Sequence, residues 1–130
     1  MPLENRYYSD LNITFNKHPV TGKLSVLKDA DAVKRALRNL ILTNTYERPY
    51  QPLIGASIRR RLFEPMDSIT AHSIKKDIQV AINNFEPRVT VHDIALIYDE
   101  DGHSVVINIV FRVNNQAEPV STEITLERTR

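Results

Sequence analysis

Hydrophobic residues in this chain run first at strand spacing, then at helix spacing, then at strand spacing again. In residues 11–27, Leu11, Ile13 and Phe15 alternate with polar neighbours before Pro19-Val20-Thr21-Gly22, and Leu24 and Val26 do so after it. Alternation on both sides of a turn predicts an N-terminal hairpin. Val33, Ala36, Leu37, Leu40 and Ile41 then fall at i, i+3, i+4, i+7 and i+8. That stripe predicts a helix opening behind Asp29 or Asp31 as N-cap and ending near Asn44. Residues 45–55 hold Pro49, Pro52 and Gly55, which suit an ordered but irregular loop. A short helix over 56–63 follows, with Ser57 in its first turn, and Pro65 stops it. Asp67 or Ser68 can cap a further helix with one apolar stripe at Ile74, Ile78, Ala81, Ile82 and Phe85. Its end falls at Phe85, because Glu86 precedes a proline and is pushed toward extended geometry.

From there the period is two again: Val89 and Val91, then Ile94, Leu96 and Tyr98, then a turn at Asp99-Glu100-Asp101-Gly102. Val105, Ile107, Ile109, Phe111 and Val113 return on the other side. A last strand sets Val120, Thr122, Ile124 and Leu126 against Ser121, Glu123, Thr125 and Glu127. Strands, then helices, then strands predict an α+β fold in one domain spanning residues 1–130. Its sheet elements are an N-terminal hairpin and a C-terminal three-stranded antiparallel meander, with two longer helices and one short helix packed on one face.

Composition narrows the functional classes. The chain is 42% hydrophobic and 25% charged, ordinary for a globular protein. Seventeen basic and sixteen acidic side chains leave a net charge of +1, too small a field to draw in nucleic acid or an anionic membrane, so partners of neither kind are expected. With no cysteine there is no disulfide framework or thiolate metal site. The polar opening stretch lacks a signal-peptide core, and no apolar run approaches the ~18 residues of a membrane span. The chain therefore reads as made soluble.

No constellation of catalytic residues emerges. His18, His72, His92 and His103 lack the spacing of a zinc pair. Gly22 and Gly102 belong to turns, and Gly55 stands alone before a helix, so no phosphate-cradling loop forms. Ser57 lacks a nucleophile elbow. Glu86, Asp93 and Asp101 are an unspecific choice of carboxylates for a glycosidase among sixteen acids. No catalytic residue, cofactor or metal is assigned. Arg59, Arg60 and Arg61, with Arg48 nearby, spread around a short helix, which fits a solvated or partner-facing surface better than a phosphate site.

Glu86-Pro87-Arg88 is the sharpest motif. At a helix-to-strand junction, acid and base two residues apart project to the same side. They can tie the helix end to the sheet or present a bipolar patch to a partner. Together with Phe85 and Val89, this motif resembles the E-P-R signature of the gene 25-like family of baseplate wedge proteins of contractile-tail phages. Upstream, Leu40-Ile41-Leu42-Thr43, Glu47-Arg48, Pro52 with Gly55, and Leu62-Phe63-Glu64 occur in the order that family shows. The resemblance runs over residues 10–126. Many members have glycine before the Glu-Arg pair, where this chain has Tyr46.

The resemblance implies a structural part of a virion tail baseplate, assembled in the host bacterial cytoplasm. Its implied partners are other wedge proteins and the first ring of the tail sheath, with the tail tube or hub as further neighbours. On that basis the expected contact residues are Glu86, Pro87, Arg88, Glu47, Arg48, Thr122 and Ile124; the long regular alternation over 120–126, next to a short polar tail, makes that segment or the neighbouring hairpin the expected strand edge for pairing with the sheath. Two sister readings stay open: a type VI secretion baseplate component, from the same family, and a muramidase, because part of the family carries a lysozyme label.

Overall fold

The N-terminal alternation builds a hairpin, but a shorter one than its spacing predicts. In the computed structural model, which describes residues 8–99, 101 and 103–128, strand β1 (Ser9–Leu11) pairs antiparallel with β2 (Val26–Lys28). Asn12 then donates its N–H to the Ser25 carbonyl at 3.1 Å, while Ser25 donates to the Asn16 carbonyl at 2.9 Å. Residues 13–15 loop out between these two bonds. The Asn12 side chain accepts from the Thr14 N–H at 3.2 Å, an Asx turn that competes with strand geometry. Ile13 and Phe15 point to solvent instead of continuing the strand. The turn at 19–22 forms as expected, with Gly22 at φ +65° and His18 Nδ1 accepting from the Val20 N–H at 3.3 Å.

Helix α1 (Asp29–Leu42) follows at once, and neither Asp29 nor Asp31 is its N-cap. The cap is Lys28, with no side-chain bond. Asp29 sits inside the first turn at φ +48°, and its carboxylate is already used, accepting from the Tyr8 N–H at 3.2 Å and from Asn115 Nδ2 at 3.1 Å. The helix stops at Leu42, where the Thr43 hydroxyl donates to the Asn39 carbonyl at 2.6 Å.

Helix α2 is one turn, Ile58–Arg61. Ser57 precedes it as N-cap in left-handed geometry (φ +51°), so it lies outside the helix. Its Oγ accepts from the Thr45 N–H at 3.0 Å and bonds the Thr45 hydroxyl at 2.6 Å, which ties the preceding loop shut. Helix α3 (Ser68–Phe85) is capped by Asp67, whose carboxylate accepts from the Thr70 N–H at 2.7 Å. That bond to the Thr70 backbone holds the Asp67 carboxyl below its ordinary value of 3.8.

The meander is β3 (Val89–Tyr98), β4 (Ser104–Val113) and β5 (Pro119–Glu127), antiparallel in the order β3-β4-β5 and separate from the β1-β2 sheet. Glu100 and Gly102 of the expected β3-β4 turn lie outside the described residues. The register shifts between Val91 and Asp93, a bulge at His92. A bulge adds one residue and reverses the inward phase, which is why Val89 and Ile94 both reach the core. Val105, Ile107, Ile109, Phe111 and Val113 of β4 are buried against Val33, Leu37 and Ile41 of α1 and Ile74, Ile78 and Ile82 of α3. Ile58 and Leu62 close one end, so the helices cover one sheet face as an α+β layer. Phe85, the last position of the α3 stripe, stays over a third exposed.

Candidate functional site

Pro87 ends α3 by denying it another donor, and Glu86 closes the helix with an N–H to the Ile82 carbonyl at 2.9 Å. The Glu86 carboxylate turns inward and is only 7% exposed. Arg88 meets it with a two-pronged contact, Nε to Oε1 at 2.6 Å and Nη2 to Oε2 at 2.9 Å. A planar guanidinium matches a carboxylate in this way, in a charge-assisted pair. The bond to Glu86 raises the Arg88 pKa against the opposing effect of its own burial, and the charge of Asp10 adds to the rise. Outward, the guanidinium lies 5.5 Å from the centroid of the Tyr8 ring. Asn114 fixes the junction from β4, its Nδ2 donating to the Pro87 carbonyl at 2.9 Å and its N–H to the Arg88 carbonyl at 2.9 Å. The acid is therefore interior, and the motif presents Pro87 and the half-buried Arg88 to solvent, the arginine stacked on Tyr8. Spacing foretold that Glu86 and Arg88 share a side. Nothing in the local sequence pointed to Asn114, 27 positions from Pro87, or to Tyr8, which is held by Asp29 21 positions on.

Glu47 and Arg48 lie on the exposed loop between α1 and α2. Glu47 is bound internally, its carboxylate accepting from the Asn44 N–H at 2.8 Å. Tyr46 takes φ +68°, the left-handed geometry that glycine tolerates most readily, and donates its N–H to the Pro52 carbonyl at 2.6 Å. Gly55 is required outright: at φ +140° a Cβ would lie 2.6 Å from the Thr43 carbonyl oxygen. The loop is thus fixed by its own backbone, with Tyr46, Tyr50 and Leu53 exposed on it.

Thr122 and Ile124 lie on β5, and no hydrogen bond or ion pair among the described residues joins them, or Glu47 and Arg48, to the 86–88 cluster. The Ile124 side chain is fully buried and Thr122 is half-buried, so a partner can meet this strand only along its edge. β5 is an outer strand of the sheet. Arg128 donates its N–H to the His103 carbonyl at 2.6 Å, one step beyond the Ser104↔Glu127 pair. Bonding alternates along an antiparallel ladder, so Thr122, Ile124 and Leu126 share Arg128's parity and bond to β4, whereas Ser121, Glu123 and Thr125 aim their N–H and C=O groups at the open edge.

Among the described residues no group of three or more His, Asp or Glu side chains could hold a metal ion, and no helix is long and apolar enough to cross a membrane.

Residues 28–118 match the family model described as baseplate wedge protein gp25. The baseplate wedge protein gp25 of Enterobacteria phage T4 is 28% identical over 120 residues, covering 89% of this chain and 87% of that protein. Among solved structures, a candidate tail lysozyme from Geobacter sulfurreducens superposes with a TM-score of 0.73 at 21% identity, over 82% of this chain and 97% of that one. A chain of the anti-feeding prophage baseplate gives 0.64 at 18% identity, over 95% and 88%. At such identities these two likenesses speak for the fold alone.

Proposed function

The chain belongs to the gp25 family of baseplate wedge proteins, and from that membership we propose that it is a structural wedge component of a contractile-tail baseplate that templates the first ring of sheath. In this reading it sits in the virion tail baseplate, assembled in the bacterial host, and binds other wedge proteins through the Arg88 and Tyr8 surface and the 44–57 loop. Its sheath-facing element is the edge of β5. The supporting observation is the difference between the two outer strands. β3 is bulged at His92 and backed by α3, whereas β5 pairs without a register shift from Pro119 to Glu127. Bulges blunt an edge against strand addition, and a regular open edge invites it.

Proline at Glu123 tests this, because it removes an N–H aimed outward and leaves the β4-β5 ladder intact. Glu123→Pro is expected to fold and enter baseplates but to leave them without sheath, as seen by electron microscopy of assembled particles. Proline at Ile124 breaks the ladder itself and serves as the unfolding control. Normal sheath on Glu123→Pro particles refutes templating at β5.

The proposed role is non-enzymatic. Both oxygens of Glu86 are engaged by Arg88, so purified chain is expected to leave peptidoglycan intact. Turnover that disappears in Glu86→Gln would replace this reading with a muramidase.

A further inference from the structure

The open edge of β5 is flanked on its helix side by more cations than acids, and the strand's own Glu123 and Glu127 leave the backbone on the face opposite Ile124 and Leu126. Along its first half, Lys34, Arg35 and Arg38 of α1 line a depression of about 270 Å³ with Thr122. Along its second half, Arg59 and Arg128 line one of about 360 Å³ with Phe63 and Leu126. Arg128 is held there by stacking on the Phe63 ring, 5.4 Å from its centroid. None of these five cations has an ion-pair partner among the described residues. Asp31 and Glu123 also line the first depression and Glu127 the second, so cations exceed acids by three to two in one and two to one in the other. Both glutamates are exposed.

We propose that the strand received at this edge carries acidic side chains on its helix-facing positions, and that this charge sidedness fixes its register. The proposal rests on strand addition at β5. Successive side chains of an added strand point to opposite faces. In one register its acids meet Lys34, Arg35 and Arg38 at one end and Arg59 and Arg128 at the other. A slip of one residue carries every acid to the far face, beside Glu123 and Glu127, where like charges repel. Backbone pairing alone does not distinguish the two registers, since every residue offers the same N–H and C=O. The occupant is therefore a single extended segment with acids at alternate positions, and with basic or neutral residues between them.

Two acetylated peptides of about ten residues, the length of a typical long strand, test the proposal against the full chain by fluorescence titration. One alternates Thr with Glu, the other Thr with Gln. The Glu peptide is expected to bind about tenfold more tightly at ~0.1 M salt, the yield of two or three exposed ion pairs. That advantage should vanish at ~1 M salt, where the screening length falls to ~3 Å, and in the Lys34→Gln/Arg35→Gln/Arg38→Gln variant. Equal affinities that Glu123→Pro abolishes would overturn the acidic preference while leaving strand addition standing. A Glu preference that survives Glu123→Pro would overturn strand addition and the proposal with it. Binding of neither peptide would overturn both.

Discussion

Burying the Glu86 carboxylate commits the chain to supplying a cation, because an unpaired buried charge is far costlier than the pair that neutralises it. Arg88 supplies it through two bonds, with about a quarter of its side chain still exposed. Removing Arg88 therefore strands Glu86. Arg88→Ala is expected to destabilise the isolated chain by about 3 kcal/mol in urea unfolding. The double variant Glu86→Gln/Arg88→Ala should recover part of that loss, because it leaves no charge behind. Unchanged stability of Arg88→Ala would mean that the arginine acts only on a partner. Exchanging the two charges cannot separate these roles cleanly, since an arginine at 86 would have to fit a buried site shaped for a shorter side chain. At this scale the sequence was half legible. The two-residue spacing put acid and base on one side, but Tyr8 against Arg88 and Asn114 on the Pro87 carbonyl are neighbours that only the folded chain creates. Tyr46 is a similar case: it holds a left-handed backbone that glycine tolerates most readily, and nothing in a tyrosine announces that geometry.

Legibility improves with elements whose two sides face different media. α1, α3 and the three meander strands each bury one side, so their periods of 3.6 and two were readable residue by residue. The jump from Val91 to Ile94 is the trace of the bulge in the sequence, although the alternation alone predicted no irregularity there. The β1-β2 hairpin has no buried face to enforce its alternation, and there Asn12 and its turn prevailed. Of the two caps expected for α3, Asp67 or Ser68, Asp67 is the one that forms, whereas both candidates for α1, Asp29 and Asp31, fail, with the Asp29 carboxylate taken by Tyr8 and Asn115. The Asp67 cap has a pH signature. Its carboxyl is lowered in the folded chain, so its contribution is present above the unfolded value near 3.8 and is lost as pH falls through the lower folded value. Asp67→Ala should reduce the thermal midpoint at neutral pH, with the gap to the parent chain narrowing once pH falls below 3.8. Asp67→Asn, an uncharged cap, should keep a midpoint near the parent's and show less of that acid dependence. A gap for Asp67→Ala that stays constant down to pH 2 would contradict the cap assignment.

In the whole molecule, the core lies between the helices and the meander, and the N-terminal hairpin is attached to it rather than built into it. None of the buried core residues comes from 9–28, and Leu11, Ile13, Phe15, Val20, Leu24 and Val26 are all about half exposed or more. What ties the hairpin down is largely backbone pairing with itself and the contacts of Asp29, whose carboxylate and N–H both bond Tyr8. A unit held by few apolar contacts opens at a lower free energy than the core it leans on. Amides of β1 and β2 are therefore expected to exchange with deuterium about a thousandfold or more faster than those of β4, whose buried side chains report the global transition. Asp29→Ala should quicken exchange in β1 and β2 further while leaving β4 unchanged, because the tether belongs to the hairpin's opening and not to unfolding of the core. Hairpin and β4 amides slowing and quickening together across these variants would mean that the two sheets unfold as one unit, and that the exposed apolar hairpin is stabilised by more than its own turn and tether.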